Sequence, residues 1–503
     1  MKLKKLAAMM AVTGLCFSTI PAVAEQVSAV IKLKERVSLK ALANDVRNPN
    51  SPRFQKPYSP EEIFQLSGPS QEDYDQVVNQ LRAQGFEIVK ESPTHLWISV
   101  RGDSKFFAPE TESISPMSLF SMSVRAPQLN IPLIESVGGL NKVRKSHPRM
   151  VKLTGVSATP GGIPSATIKS AYGFDPIYSS NINGAGMDIA VATYDGFNID
   201  DVTFFYNYFK ISPKVDQVTF NGTPTYNEDS SVETELDAEF SGMMAPGANV
   251  HVFASSTNDD AGELQLFTAI LDDNRAKVVN YSWGDCEANV SASHQADMDA
   301  VFARAAAQGV NIMVASGDSG SDSCQNGTIA ADWPGANSDV VAVGGTTFSG
   351  NANKVSETAW SGSGGGISKL FDLPSWQSAL GSPYVKRSYP DVAFNADPNS
   401  GQSVYAHVNG TAGWLTIGGT SMAAPQWSGF IALVGQARQS ANKSTLGYLN
   451  PVIYGLSGDQ RTGVFNDVTS GSNGAYNAGP GWDAVTGFGS MKADALLQVL
   501  LAN

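Results

Sequence analysis

The chain is 503 residues long, 42% hydrophobic and 16% charged, an ordinary globular composition with room for about three domains. Its 48 glycines and 26 prolines imply many loops. A formal net charge of −13 excludes the broad basic face that nucleic-acid binding needs.

Met-Lys-Leu-Lys-Lys opens the chain, followed by an apolar stretch from Leu6 to about Ile20 and by Ala22-Val23-Ala24. That layout predicts a secretory signal peptide over residues 1–24, cut before Glu25. Leu15 precedes Cys16 where a lipidation site calls for a small residue, so a plain signal is expected. No later apolar run approaches the roughly 20 residues that span a bilayer. The expected product is secreted, extracellular or periplasmic, without a membrane segment. Cys16 leaves with the signal, and Cys286 and Cys324 remain as one pair. In an exported chain such a pair reads as one disulfide, the other reading being two buried free thiols.

Residues 25–157 carry 17 basic and 14 acidic side chains, a net +3, whereas residues 158–503 carry 14 and 33, a net −19. The slightly basic segment reads as a small α+β, ferredoxin-like domain. Ser59-Pro60-Glu61-Glu62 combines an N-cap, a proline at the first helical position and a capping-box glutamate. Ser70-Gln71-Glu72-Asp73 starts a second helix, with Val77, Val78 and Leu81 as its apolar stripe and Gly85 as its stop. Phe86–Val89 and His95–Val100 then alternate like half-buried strands. From about Gly138 to Pro164 the chain is rich in Lys, Arg, Gly and Pro, which predicts an exposed linker open to proteolysis.

Beyond residue 165, short apolar runs at Met187–Ala192, Asn249–Phe253, Lys277–Ser282 and Val310–Ala315 alternate with helical stretches such as Asp297–Gln308. This predicts a mostly parallel sheet covered on both faces, with chemistry at the carboxyl ends of its strands. Within residues 229–244, Leu236, Phe240 and Met243 form a helical core stripe, and Glu233 and Asp237 share one face a turn apart. Like charges at that spacing repel unless they share a proton. The plain alternative is a capping box between Ser230 and Glu233, with Asp237 in solvent. Ser316-Gly317-Asp318-Ser319-Gly320 follows the strand ending at Ala315 and, alone, reads as an Asx-type turn. Residues 418–429, Gly-Gly-Thr-Ser-Met-Ala-Ala-Pro-Gln-Trp-Ser-Gly, place Ser421 where a loop enters an apolar helix. There its hydroxyl meets the positive end of the helix dipole and nearby N–H groups.

The Ser421 motif resembles the nucleophile motif of subtilisin-like serine peptidases, in which a His-Gly-Thr histidine is the base. None of the five histidines, His95, His147, His251, His294 and His407, stands in that motif. Glu233-x-x-x-Asp237 before Ala245-Pro246-Gly247, together with Ser316-Gly317-Asp318, instead resembles the sedolisins, the serine-carboxyl peptidases. Ser-Pro-Arg-Phe and Tyr-Ser-Pro-Glu-Glu resemble their propeptide. The resemblance implies a subtilisin-like α/β peptidase domain over residues 158–503 and an inhibitory propeptide domain over 25–157, with a processing linker to about 164. It implies Ser421 as nucleophile, Glu233 as general base supported by Asp237, and Asp318 as oxyanion donor. A carboxyl group donates there only when protonated, so acid conditions are implied. Ser282-Trp283-Gly284 resembles the strand edge that pairs with substrate, and Asp332 is a candidate for the first specificity pocket. A Cys286–Cys324 bridge would tie the Asp318 loop to that edge. Asp467-Val468 and Ala478–Asp483 resemble a calcium site, with Asp467, Asp483 and the carbonyls of Val468, Gly479 and Gly481 holding one structural Ca2+ ion. Polypeptides and the chain's own propeptide are the expected partners, without nucleic acid or membrane, and the expected state is a monomer. A catalytically inactive exported binding protein on the same fold is the alternative.

Overall fold

The structure, a computed structural model, describes residues 26–48, 50–103, 129–152, 155–381 and 384–503. The expected signal peptide and Cys16 lie outside these residues. Among the described residues, no helix is long and apolar enough to cross a membrane.

The N-terminal unit is an antiparallel sheet in the order Glu87–Glu91, Trp97–Asp103, Gln26–Leu33, Ile134–Gly138, the ferredoxin-like order. Helix Pro60–Ser67 starts on the expected capping box, Ser59 with Glu62. Helix Gln71–Ala83 is capped by Ser70 and packs Tyr74, Val77, Val78 and Leu81 onto Ile31, Ile98 and Val100. Gly85, at φ +92°, turns the chain out of that helix into Phe86. A further helix, Leu39–Arg47, buries Leu39, Leu42, Ala43 and Val46 and packs on Ala292–Ala307 of the larger unit.

The larger unit is a ten-stranded sheet. Its parallel core runs Val392–Asn395, Val341–Phe348, Asn311–Ala315, Val278–Tyr281, Asp188–Thr193, Asn249–Ala254, Lys214–Val218. Helices Asp260–Asp273 and Ala292–Ala307 pair with each other against this sheet, and Glu228–Met244 and Thr420–Ser440 do likewise. Helix Glu228–Met244 buries every residue from Ser231 to Met244, because it is enclosed by the sheet, its partner helix, helix Ile199–Tyr208 and strand Gln402–Val408. Its N-cap is Asn227, one turn before the expected Ser230, so Glu233 is interior and closes no capping box.

The expected exposed linker holds in part, since Lys142, Val143, Lys145, His147 and most of residues 155–164 are exposed, and is corrected at alternate positions. Arg144, Ser146 and Arg149 are buried. His147–Pro148 pairs antiparallel with Trp283-Gly284, and Val151–Lys152 pairs with Ile417-Gly418. The segment is therefore bound as an added strand on two edges of the larger unit, where main-chain hydrogen bonds bury its polar backbone.

Candidate active site

Four side chains come together at the carboxyl ends of the central strands. Glu233 and Asp237 stand on helix Glu228–Met244, Asp318 on the loop after strand Asn311–Ala315, and Ser421 at the second position of helix Thr420–Ser440. Glu233, Asp237 and Ser421 are fully buried, and Asp318 is half-buried at the rim. Asp237 Oδ1 accepts from Ser282 Oγ at 2.6 Å, and Asn280 Nδ2 donates to that same oxygen of Ser282 at 3.2 Å. Ser421 Oγ is aimed at the Ser282 carbonyl at 3.5 Å and lies close enough to Glu233 to pull its pKa down, although neither Glu233 oxygen makes a hydrogen bond of good geometry. Burial, and then the Asp237 charge, raise Glu233 well above the ordinary glutamate range, and burial does the same to Asp237. Burial therefore favours the protonated form of both groups.

Asp318 Oδ1 accepts from the Thr420 N–H at 2.7 Å and from its hydroxyl at 2.8 Å, while Oδ2 is buried and unpaired. Burial pushes Asp318 up to about 7, against the pull of the Thr420 donors. The free oxygen therefore carries a proton in acid. It shares the space above Gly419 with the Arg149 carbonyl oxygen: a Cβ on Gly419 would stand 2.6 Å from one and 2.4 Å from the other. At φ +100° and with that crowding, only glycine fits. The Ser421 N–H donates to the same Arg149 carbonyl at 2.8 Å. A linker carbonyl thus lies between a backbone N–H at a helix N-terminus and a carboxylic acid.

The Arg149 side chain enters a buried pocket and pairs with Asp332. Asp332 Oδ2 also accepts from Ser323 Oγ at 2.7 Å. Gly284 makes the pocket possible, because a Cβ there would fall 2.8 Å from Asp332 Oδ1 and 2.9 Å from Arg149 Nη2. Burial raises Asp332 to about 7 against the pull of Arg149. Cys286 and Cys324 form a disulfide, which holds the loop after Asp318 to the strand carrying Gly284.

Behind the pair, the same helix buries two more carboxyls. Glu235 Oε1 accepts from the Asn198 N–H at 3.0 Å and Glu239 Oε2 from the Tyr405 N–H at 3.2 Å, and each leaves its second oxygen unpaired. Burial raises both, Glu235 to about 8.

Far along the chain, Asp467 Oδ2 accepts from the Gly481 N–H at 2.9 Å and Asp483 Oδ2 from the Gly479 N–H at 3.1 Å. The turn at 479–481 therefore brings both carboxylates to one loop. Among the described residues no three His, Cys, Asp or Glu side chains gather as a metal site, so a cation here would depend on backbone carbonyls as well.

The sequence reading missed Thr420 and Asn280, which hold the two acids, and the occupant of the cleft itself, Arg149. The Pro148-Arg149 pair inside a basic linker was the available signal. The histidines are all placed elsewhere. His251 sits between Asp188 and Asp216, His294 against Glu263, His407 on Asp201, His95 on Tyr74, and His147 in the linker strand.

Residues 21–107 match the Pro-kumamolisin activation domain and residues 222–453 the subtilase family. The chain is 36% identical to kumamolisin of Bacillus sp. (strain MN-32) over 418 residues, covering 75% of this chain and 72% of that protein. It is 30% identical to sedolisin of Pseudomonas sp. (strain 101) over 522 residues, covering 94% and 86%. The solved structure of Pseudomonas sedolisin, a serine-carboxyl proteinase complexed with pseudo-iodotyrostatin, superposes with a TM-score of 0.61 at 31% identity, over 69% of this chain and all of that one. The chain belongs to the sedolisin family of serine-type peptidases, with a Pro-kumamolisin-type activation domain ahead of a subtilase-type peptidase domain.

Proposed function

We propose that this is an exported, acid-acting serine-carboxyl endopeptidase whose first substrate is its own Arg149–Met150 bond. The observation that carries the reading is the Arg149 carbonyl, 2.8 Å from the Ser421 N–H, with its guanidinium on Asp332. Ser421 Oγ rotates from the Ser282 carbonyl to attack the Arg149 carbonyl carbon, and Glu233, once ionised, takes the hydroxyl proton. Asp237, fixed by Ser282, shares the charge changes on Glu233. The Ser421 N–H and protonated Asp318 receive the developing oxyanion. Glu233 returns its proton to the Met150 nitrogen as the bond breaks, and water then hydrolyses the acyl-enzyme. On this reading Asp332 selects a basic residue on the acyl side of the cut bond. The donor must keep its proton while the base gives one up, and Asp318, held at about 7, keeps its proton in acid, so turnover belongs on the acid side of neutral.

The Asp467 and Asp483 loop fits one structural Ca2+ ion, since its donors are two carboxylates and backbone carbonyls, oxygen only. Asp467, Asp483 and the carbonyls of Val468, Gly479 and Gly481 would hold it. Bound there, the ion supplies charge compensation and loop order, and it takes no part in the peptide cleavage.

The test is acidification of the purified zymogen and its Ser421→Ala variant, followed by mass analysis. Wild type should release a species beginning at Met150, and Ser421→Ala should stay intact. Equal processing of both would remove Ser421 from the mechanism. A processed wild type with no peptidase activity at any pH would favour the inactive binding protein.

A further inference from the structure

Five residues before Arg149, a second linker arginine is buried in a socket that belongs to the larger unit. Arg144 Nε donates to Asp260 Oδ1 at 2.5 Å, and its Nη2 pairs with Glu263 Oε2 and lies 3.1 Å from His294 Nε2. The socket is braced independently of the linker. Glu263 Oε1 accepts from Tyr281 OH at 3.1 Å and from Trp333 Nε1 at 3.2 Å, and its other oxygen is 2.7 Å from His294 Nε2. Burial works to raise Glu263, but Arg144, His294 and Trp333 overcome it and hold the group at about 2, so it stays ionised in acid.

The chain between the socket and the serine is held in one register. Asn258, just before the helix that carries Asp260 and Glu263, clamps the Ser146 backbone from both sides: its Oδ1 accepts from the Ser146 N–H and its Nδ2 donates to the Ser146 carbonyl, each at 2.8 Å. His147 and Pro148 then pair with Gly284 and Trp283, and Arg149 reaches Asp332. Every one of these receiving groups remains with the peptidase when the linker leaves.

We propose that Asp260, Glu263 and His294 form a distal substrate subsite in the mature enzyme, selecting an arginine five residues upstream of the residue whose carbonyl is attacked. The proposal rests on Arg149 being the residue attacked. A vacated socket presents two carboxylates and a histidine that have lost their guanidinium, in walls already built around one, and Asn258 and the Gly284 edge deliver a substrate to it in register. The recognised class is therefore an extended polypeptide with two basic residues at this spacing, rather than any peptide with one.

The experiment uses the acid-processed enzyme and a synthetic peptide of residues 142–155, compared with versions carrying alanine or citrulline at position 144. Products are identified by mass and kcat/KM is measured at acid pH. Loss of the arginine removes its pairings with Asp260 and Glu263 and leaves their buried oxygens unsatisfied, so kcat/KM should fall on the order of 30-fold or more, with citrulline falling nearly as far as alanine. In an Asp260→Asn enzyme that arginine-to-alanine ratio should collapse toward a few-fold. The ratio is internal to each enzyme form, so a smaller folded fraction cancels. Arginine and alanine peptides cut within twofold of each other by wild type would overturn the proposal and leave the socket as a latch of the zymogen only. If mass analysis places the cut away from Arg149–Met150, it is the reading of the scissile bond that fails. The socket is then judged by inhibition with the peptide of residues 142–149, which should weaken at least tenfold on Arg144→Ala if the subsite exists.

Discussion

The buried carboxyl of Glu235 sets a pH limit on the fold that does not involve the catalytic groups. Its ordinary value is 4.5 and burial raises it to about 8 in the folded chain. Below pH 4.5 the group is protonated folded and unfolded alike, and the fold bears no penalty. Between 4.5 and 8 the unfolded chain ionises and the folded one does not, so stability declines with rising pH and the loss is complete above 8. At 1.36 kcal/mol per unit, the loss is roughly 3 kcal/mol at pH 7 and roughly 5 kcal/mol at pH 8. Glu235→Gln removes the titration and keeps an oxygen for the Asn198 N–H. In a Ser421→Ala background, which prevents self-digestion, scanning calorimetry should give a variant-minus-parent Tm difference about 6 °C larger at pH 7 than at pH 4, taking about 2 °C per kcal/mol. Any fixed cost of the new amide cancels in that comparison. A Tm difference equal at the two pH values would refute the argument.

Asp318→Ala should lower kcat by roughly 10²–10³ while the protein still folds, read by steady-state kinetics on a casein-derived peptide. Glu233→Ala should remove most turnover without shifting the melting curve downward, and full activity in that folded variant would sink the mechanism. Profiling a peptide library with Asp332→Ala should show the preference for arginine or lysine at the acyl side of the cut diminished, whereas an unchanged profile would take Asp332 out of the pocket's selectivity. Chelation should lower the Tm of mature enzyme that contains calcium, and Asp483→Ala should lower it with calcium present; a calcium-free preparation with an unmoved melt would dismiss the site.

What the sequence made legible followed local rules. Helix Pro60–Ser67 was readable because Ser59 and Glu62 satisfy one another within four residues. The sheet's parallel core was readable because strands buried on both faces are continuous apolar runs. Helix Leu39–Arg47 was passed over although Leu39, Leu42, Ala43 and Val46 have helical spacing, since its partner lies some 250 residues later in the chain. The acids of the site stood out by resemblance, and by the repulsion that Glu233 and Asp237 would suffer in water. The helix stripe understated the burial around them, because enclosure on every face comes from elements distant in sequence. The linker reading failed only at its arginines, for a related reason: Lys142, Lys145 and the Gly- and Pro-rich end are exposed as their types predict, yet Arg144 and Arg149 had buried carboxylates awaiting them at Asp260, Glu263 and Asp332.

The linker is gripped on both sides of Arg149–Met150, by Trp283-Gly284 before it and by Ile417-Gly418 after it, and Ser157 and Ile163 continue the hold at Trp414 and Gly401. Cutting one peptide bond therefore frees neither fragment. On the proposed cut at Arg149–Met150, the new amino terminus would stay zipped to the Ile417-Gly418 edge, and the upstream fragment would stay tethered through Arg144. Maturation by that cut would be a two-door exit, in which each fragment peels away on its own before a foreign chain is threaded. The lag between the first cut and the first external turnover would then be set by the slower of the two departures rather than by chemistry.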